Sequence, residues 1–509
     1  MSLFIAHITS YAPDGTPDTL YVSDEPVAPL PHDDPDAPNR IYLPILIEAA
    51  NIRRDLFGDV TQGGGERGYG IMRLSNADKS LQTYRQYSFG AIDIYRYVPG
   101  TPLNQAIHIF AGRASKAGWG HATKSSASLT LNVRDDFQIL ETNIQTTKYA
   151  GTASGGNVLD GEEGLTGQVL PLSFGDLSEA HAPGILVSPG QQIWQVNDSA
   201  IDSFDVIYDR GDDAGYVLDS DLDEAGFLAA TPVMTEYVTH KAKGLIKLGG
   251  SPVGQVAFGL TVNTDDTPRA IIKALLLQAG IASSDISADF DVAGGPKIGL
   301  HLTGETTLAN VIRYAARAEA AAVMPDSAGV WRYDPVKVPD AAADYDLPYD
   351  DILDLSSDGD QTSPVWRVKV GYGRNHKTLS RGDLAPAVRG TANEALMTTE
   401  WRYAEASSQA TLDRFPSALE KDVQTPLRLA ADAQSLADSL LSVLGPQAGG
   451  GARERLRLVL PFDDARAALR LGSSVRVYYP DADIDRNFIL AGVELTRPKR
   501  HQMIWRVWG

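Results

Sequence analysis

A side-chain period of two, written repeatedly along this chain, constrains its fold more than any other feature. Ser128-Leu-Thr-Leu-Asn-Val-Arg134 alternates cleanly between apolar and polar residues, as a half-buried strand must. Ile92-Asp-Ile-Tyr-Arg-Tyr-Val98 alternates too, and Ile107-His-Ile-Phe110 follows it after a Pro-Gly turn. Glycines at 63–65, 68 and 70 punctuate the same region. Four more strands close the sequence: Leu456–Leu460, Ser474–Tyr479, Phe488–Leu495 and Met503–Trp508. Strands in such numbers, with turn signals between them, point to small barrels or sandwiches.

The helical period of 3.6 surfaces in three places only. Thr267-Pro268 supplies an N-cap and a first helical residue, Ile271, Ile272, Leu275, Leu276 and Ala279 line one face, and Gly280 ends the helix. A second helix begins near Thr306 or Thr307, with Leu308, Val311, Ile312, Ala315 and Ala316 as its stripe. A strand at Ala321–Met324, a Ser327–Gly329 turn and a strand at Val330–Tyr333 complete a small α/β lobe. The third helix is expected over 425–444, opened by Thr425-Pro426, closed by Gly445-Pro446, with Leu429, Ala433, Leu436, Leu440 and Leu444 inward.

These signals divide the chain into five parts. Residues 1–40 give an N-terminal strand and a Pro- and Asp-rich stretch that reads as an extended arm or a surface loop. Residues 41–140 form a first β-domain. Residues 141–260 are a loop-rich β insertion, with Gln192–Val196 and Phe204–Tyr208 as its clearest strands and return strands near Gly244–Leu260. Residues 261–345 are the α/β lobe. Residues 346–509 are a second β-domain, entered through an acidic linker at Asp340–Asp360 and restarting at Trp366–Tyr372. No period of 20–50 residues recurs, which argues against a solenoid. The fold class is mainly β with α+β insertions.

Composition narrows the function. With 65 acidic residues against 45 basic ones the formal charge is −20, and the basic residues are scattered. That disfavours specific nucleic-acid binding, which needs clustered cations against phosphates. It also disfavours anionic membranes. The 43% hydrophobic and 22% charged residues are those of a packed soluble chain. There is no cysteine, so disulfides, thiolate metal sites and cysteine nucleophiles are excluded. The start has no basic n-region before an apolar run, and no stretch approaches the roughly 18 apolar residues of a membrane span. Synthesis and folding in a cytoplasm are expected.

No catalytic, cofactor or metal site is expected. The histidines, His7, His32, His108, His121, His181, His240, His301, His376 and His501, are dispersed and no pair has helical ligand spacing. Asp219-Ser-Asp-Leu-Asp-Glu224 opens like a calcium loop, but Glu224 stands where the sharp turn needs Gly and Ala230 where the loop needs Glu. A solvated acidic loop is the expectation there. Gly151-Thr-Ala-Ser-Gly-Gly156 lacks the spacing of a nucleophile elbow and reads as a Gly-rich loop. The acidic pairs Asp135-Asp136 and Asp463-Asp464 point to opposite sides of an extended chain and read as turn residues. Arg381-Gly-Asp383 carries no weight at three residues. The aromatics of Tyr84–Tyr97 and Trp401–Tyr403 are expected in core and interfaces.

One pattern is more particular. Leu469-Arg-Leu-Gly-Ser-Ser-Val-Arg-Val-Tyr-Tyr-Pro480, Asn487-Phe-Ile-Leu-Ala-Gly-Val-Glu494 and Ile504-Trp-Arg-Val-Trp-Gly509 resemble the closing module of bacteriophage tail-tip proteins, with Ser473 where that pattern more often has Asp. The Thr-Pro-capped lobe ending in Val-Trp-Arg-Tyr resembles the inserted lobe of baseplate hub proteins. Gly70–Asn76, Leu129–Asp135, Tyr149–Thr152, Asp160–Gly164, Ile193–Asp198 and Val206–Gly211 resemble the opening barrel of the same group. The resemblance implies two related split β-barrel domains plus the small α/β lobe, in a baseplate-hub-like structural virion protein at the tail tip. It implies a homotrimer whose six barrels form a ring joining the tail tube and distal-tail proteins to a tip, spike or fibre, with the tape-measure protein as a further partner. Closure of such a ring by rotation leaves no open interface. The alternatives are a hexameric distal-tail or other upper-baseplate ring, and a receptor-binding or glycan- or cell-wall-degrading tail protein.

Overall fold

The computed structural model describes residues 3–59, 64–68, 70–120, 127–262, 265–358, 363–447, 450–495 and 502–509. The chain is mainly β, and its strands gather around three cores.

The first core belongs to the two ends of the sequence. Seven N-terminal strands pair in the spatial order Pro17–Ser23, Leu3–Tyr11, Ser88–Tyr97, Ile107–Gly120, Ser128–Arg134, Ile71–Ser75, Leu46–Glu48. Residues 43–46 touch both edges of this curled sheet. Leu43 exchanges bonds with Tyr21 and Ser23, and the Ile45 carbonyl accepts from the Ser75 amide at 2.7 Å. The C-terminal sheet runs Tyr345–Leu347, Ser474–Tyr479, Ile484–Leu495, Gln502–Trp508, Arg455–Pro461, Asp354–Ser357. Phe4, Ile8, Ile92, Leu129 and Leu131 of the first sheet share one apolar cluster with Leu458, Val475, Val477, Phe488 and Trp505 of the second. One strand crosses between them: Ile52–Asp59 leaves the N-terminal sheet and pairs antiparallel with the end of Ile484–Leu495.

The Pro- and Asp-rich stretch packs on the chain's own first sheet. Residues 17–23 form a strand against Leu3–Tyr11, and the rest folds over the outer face of that sheet, where Leu30, Ala37 and Tyr42 are buried with Leu3, Ile5 and Tyr97. The Asp34 carboxylate fixes this cover by accepting from the amides of Asp36, Ala37 and Leu103. Sparse apolar residues, spaced among prolines, are enough to seal one sheet face. The acidic linker is likewise structured. Tyr345–Leu347 and Asp354–Ser357 are the two edge strands of the C-terminal sheet, and Asp340 and Asp344 bond Ser474 through its hydroxyl and amide. Edge strands tolerate charge on their open side, so acidity concealed them.

The second core joins the α/β lobe to residues 365–444. Pro268–Gln278 and Leu308–Ala316 bury the expected stripes, and Gly280 takes the left-handed φ of +88° that follows a helix end. Thr267 and Thr307 accept from the amides three residues on, each at 3.3 Å. Thr307→Ala should cost about 1 kcal/mol of stability, measured by urea unfolding. The hairpin Ala321–Pro325 with Trp331–Pro335 buries Trp331 and Tyr333 beside Phe137 and Phe290. The strand Val365–Tyr372 lies between Arg402–Ser407 and Leu419–Gln424, and its Val368 and Val370 pack with Leu436 and Leu440 in this same cluster rather than in that of the C-terminal sheet. The third helix begins at Ala430, five residues later than Thr425-Pro426 suggested. Residues 425–428 stay extended because they are used elsewhere: Leu427 bridges Ile298, the Arg428 amide donates to the Lys297 carbonyl at 3.0 Å, and the Thr425 hydroxyl bonds the Gly371 carbonyl. Leu429, expected inward, is the exposed N-cap.

The insertion is a packed two-sheet unit. One sheet runs Asp212–Asp213, Ser203–Asp209, Val256–Val262, Leu172–Asp176, Gly299–Leu302; the other runs Ile185–Ser188, Ile193–Gln195, Leu245–Leu248, Glu236–His240, Val217–Asp221. Phe258, Leu260 and Ile207 of the first face Val196, Ile246 and Tyr237 of the second. Short strands between Gly- and Asp-rich loops gave little periodicity to read.

Candidate functional sites: buried polar junctions

The acidic motifs resolve into local structural duties. Asp223 caps helix Glu224–Ala229 through the Gly226 amide, Asp221 accepts from Thr239 and the Lys241 amide, and Glu224 pairs with Lys243. Asp463 caps Asp464–Ala468, and Asp136 pairs with Arg113 at 3.0 Å. Arg381 pairs with Glu394 at 3.0 Å and Asp383 accepts from Ser380, so that tripeptide is tied into its own loop. The Gly151–Gly156 segment holds a single 3-10 turn, Ala153–Gly155, with Gly151 and Gly156 at positive φ. Among the described residues no group of three or more His, Asp or Glu is arranged to hold a metal, and no helix is long and apolar enough to cross a membrane.

Five histidines, scattered in sequence, meet in two places; His121 and His501 lie outside the described residues. On the outer face of the N-terminal sheet, His7 Nε2 lies 2.6 Å from the Tyr42 hydroxyl, and its ring packs against Tyr21 and Tyr95. Tyr95 in turn stacks on His108 at 4.4 Å, and His108 Nε2 sits 3.1 Å from Asp93. Burial, reinforced by Arg40 and His108, pushes His7 down to about 4 against the opposing pull of Asp93.

The second cluster lies where the insertion, the lobe and the 365–444 unit meet. His301, on Gly299–Leu302, has Nε2 3.1 Å from the Pro183 carbonyl and Nδ1 2.9 Å from the Ser173 hydroxyl. A carbonyl only accepts, so Nε2 carries a proton; the Ser173 hydroxyl that meets Nδ1 also lies 3.4 Å from the Val196 carbonyl. His376 lies 5.4 Å from it edge-on, and its amide donates to the Ala180 carbonyl at 3.0 Å. His181, held at a left-handed φ of +47°, packs on Tyr208 at 4.2 Å. Burial pushes His181 and His301 down to about 4, with nearby arginines adding to it, and holds His376 well below its ordinary range, reinforced by His301. Sequence reading missed this cluster because positions 181, 301 and 376 sit on three separate elements.

A third polar junction marks the crossing strand. The Asp55 carboxylate, fully buried, is bonded by Arg455 and lies 3.5 Å from Arg53. Arg455 also holds Asp358 at 2.9 Å, which Arg506 meets at 3.1 Å while bonding Glu494 at 2.7 Å. Gly492 sits at a bulge beside this carboxylate; a Cβ there would come within 2.9 Å of Asp55 Oδ2. Every charge is matched by a neighbour, as deep burial requires.

Together these features define a class: a mainly β chain whose buried polar groups lock sheets and lobes to one another. No protein-family model matches the sequence, and neither does any curated protein. Among solved structures, the chain is similar to the prophage MuSo2 43 kDa tail protein from Shewanella oneidensis, at 8% identity and a TM-score of 0.36 over 99% of this chain and 97% of that one. It is similar to a tail protein from Neisseria meningitidis MC58, at 9% identity and 0.38 over 99% and 96%. A third similarity is to the prophage tail protein gp18 from Listeria monocytogenes EGD-e, at 8% and 0.29 over 91% and 94%.

Proposed function

We propose that this chain is a non-enzymatic structural protein of a bacteriophage tail tip, a baseplate hub that forms a homotrimeric ring between the tail tube and the distal tip. The observation that carries the reading is the C-terminal sheet. The residues that resemble the tail-tip closing module lie on adjacent antiparallel strands: Val475 and Val477 face the core, the following strand bends at the Leu490–Gly492 bulge, and Gly509 pairs with Glu454 beside the last strand. In this reading the curled N-terminal sheet and the C-terminal sheet are the kindred barrels, and the virion is where the protein works. Its partners are copies of itself, distal-tail and tube proteins, spike or fibre proteins and the tape-measure protein.

The surface supports assembly. Val217, Val233, Met234 and Val253, 58–77% exposed, belong to strand Val217–Asp221 and the loops at one end of the insertion, where the Val217 amide bonds the Thr235 carbonyl. Grouped apolar side chains at a sheet edge mark a contact face. The test is light scattering with imaging of the purified protein. Three copies in a closed ring are expected. Six equal copies would instead favour the distal-tail ring. A protein that stays solitary at high concentration, or that turns over peptidoglycan or capsule, overturns the hub reading.

A further inference from the structure

Three described arginines are more than nine-tenths buried: Arg428, Arg466 and Arg506. Two are neutralised, Arg466 by Asp351 and Arg506 by Asp358 and Glu494. Arg428 differs. Among the described residues no carboxylate lies within 4 Å of its guanidinium, and its Nε and Nη1, both sealed from solvent, have no hydrogen-bond partner. His181, 6% exposed, is in the same position, with neither ring nitrogen bonded. The two side chains share one electrostatic neighbourhood with Tyr208, Arg402 and His376. Asp176 and Glu179 offset part of the Arg428 charge from beyond 4 Å, while Asp176 accepts from the Ser178 amide and Glu179 reaches Arg402 at 4.0 Å. A guanidinium Nε and Nη1 and an imidazole buried without bonded acceptors are costly, because each has given up water for no hydrogen bond in return.

We propose that Arg428 and His181 form a binding site for a small inorganic anion, with Arg402 and the Tyr208 hydroxyl at its margin, at the junction of the insertion and the 365–444 unit. The donors set the ligand's class. Guanidinium and a protonated imidazole offer only N–H groups, so the ligand must be an acceptor on every side it presents to them. An anion there stabilises protonated His181 and offsets the charge of Arg428, so its binding strengthens as the pH falls from 8 to 6. This site is independent of the tail-tip reading and stands or falls without it.

The probe is inorganic phosphate, added at low millimolar concentration to protein kept in a buffer free of phosphate, sulfate and chloride. Thermal melting should rise by at least about 2 °C, more at pH 6 than at pH 8, as expected for a ligand that binds only the folded state. Sulfate and chloride, tested in parallel, identify which anion fits. Arg428→Gln should abolish the rise. His181→Phe keeps a ring against Tyr208 and removes the donors; it should abolish the pH dependence, and serves if Arg428→Gln does not fold. Broadening of the phosphorus resonance of phosphate by the wild-type protein, absent with Arg428→Gln and no stronger at pH 6 than at pH 8 with His181→Phe, is the direct readout. No rise with any of the three anions, or an equal rise in both variants, overturns the proposal.

Discussion

Truncating Trp505 to alanine should lower the stability of the folded chain by about 3–5 kcal/mol, one of the largest effects open to a single substitution here. Trp505 is fully buried, opposite Leu458 and Val493 in its sheet, with its ring edge-on to Tyr345 at 5.9 Å. It belongs to the cluster that the N-terminal sheet shares. The damage should therefore register at both ends. Urea unfolding by circular dichroism gives the size, and hydrogen exchange of the Ser88–Tyr97 amides should accelerate with it. A loss below about 1 kcal/mol, or unchanged protection of Ser88–Tyr97, would show that the two sheets do not depend on one core.

The second large effect is loss of stability in mild acid. His181 and His301, each 6% exposed, titrate near 4 in the folded chain, against an ordinary value of 6.5. Between those limits the unfolded chain takes up protons that the folded chain refuses. Stability is thus fully present above pH 6.5 and falls as the pH descends towards 4. A difference of about 2.5 pH units corresponds to about 3 kcal/mol for each imidazole. His376, also held well below its ordinary range, acts in the same direction. Urea unfolding at pH 7, 6 and 5 measures the slope. His301→Gln, which keeps a donor and an acceptor for Pro183 and Ser173, should be flatter across this range. Stability that stays level from pH 6.5 to 5 would sink the prediction.

Where the sequence was informative, the reason is local. Thr267-Pro268, Thr307 and Gly280 act within one helical turn, so the helix ends they mark can be read from neighbouring residues. Of the closing strands, Arg455–Pro461 and Ser474–Tyr479 alternate because one of their faces is sealed, whereas Ile484–Leu495 and Gln502–Trp508 are apolar runs buried on both faces. What escaped reading was set by distant partners. Residues 425–428 would open a helix if left alone, but the lobe recruits Leu427 and Arg428 as an extended crosspiece. The edge strands in 340–360 carry the composition of a linker. The insertion's strands, mostly three to seven residues long, show too few repeats for a period to emerge. The candidate sites were the least legible part. Nothing near Asp55 announces that Arg455 will bury it, and the three clustered histidines are separated by more than seventy residues at each step.

The strand Ile52–Asp59 carries a consequence for how the protein is made. Besides the adjacent Gly64–Gly68 it pairs with a strand more than four hundred positions downstream, itself flanked by Gln502–Trp508. During synthesis this strand must therefore wait, one margin unpaired and the Asp55 carboxylate without Arg455, until almost everything else has left the ribosome. Pairings at such separation are slow to find and expose sticky edges meanwhile. Completion of the first core is accordingly a late event, and shielding of the nascent N-terminal sheet should raise the yield of correctly finished molecules.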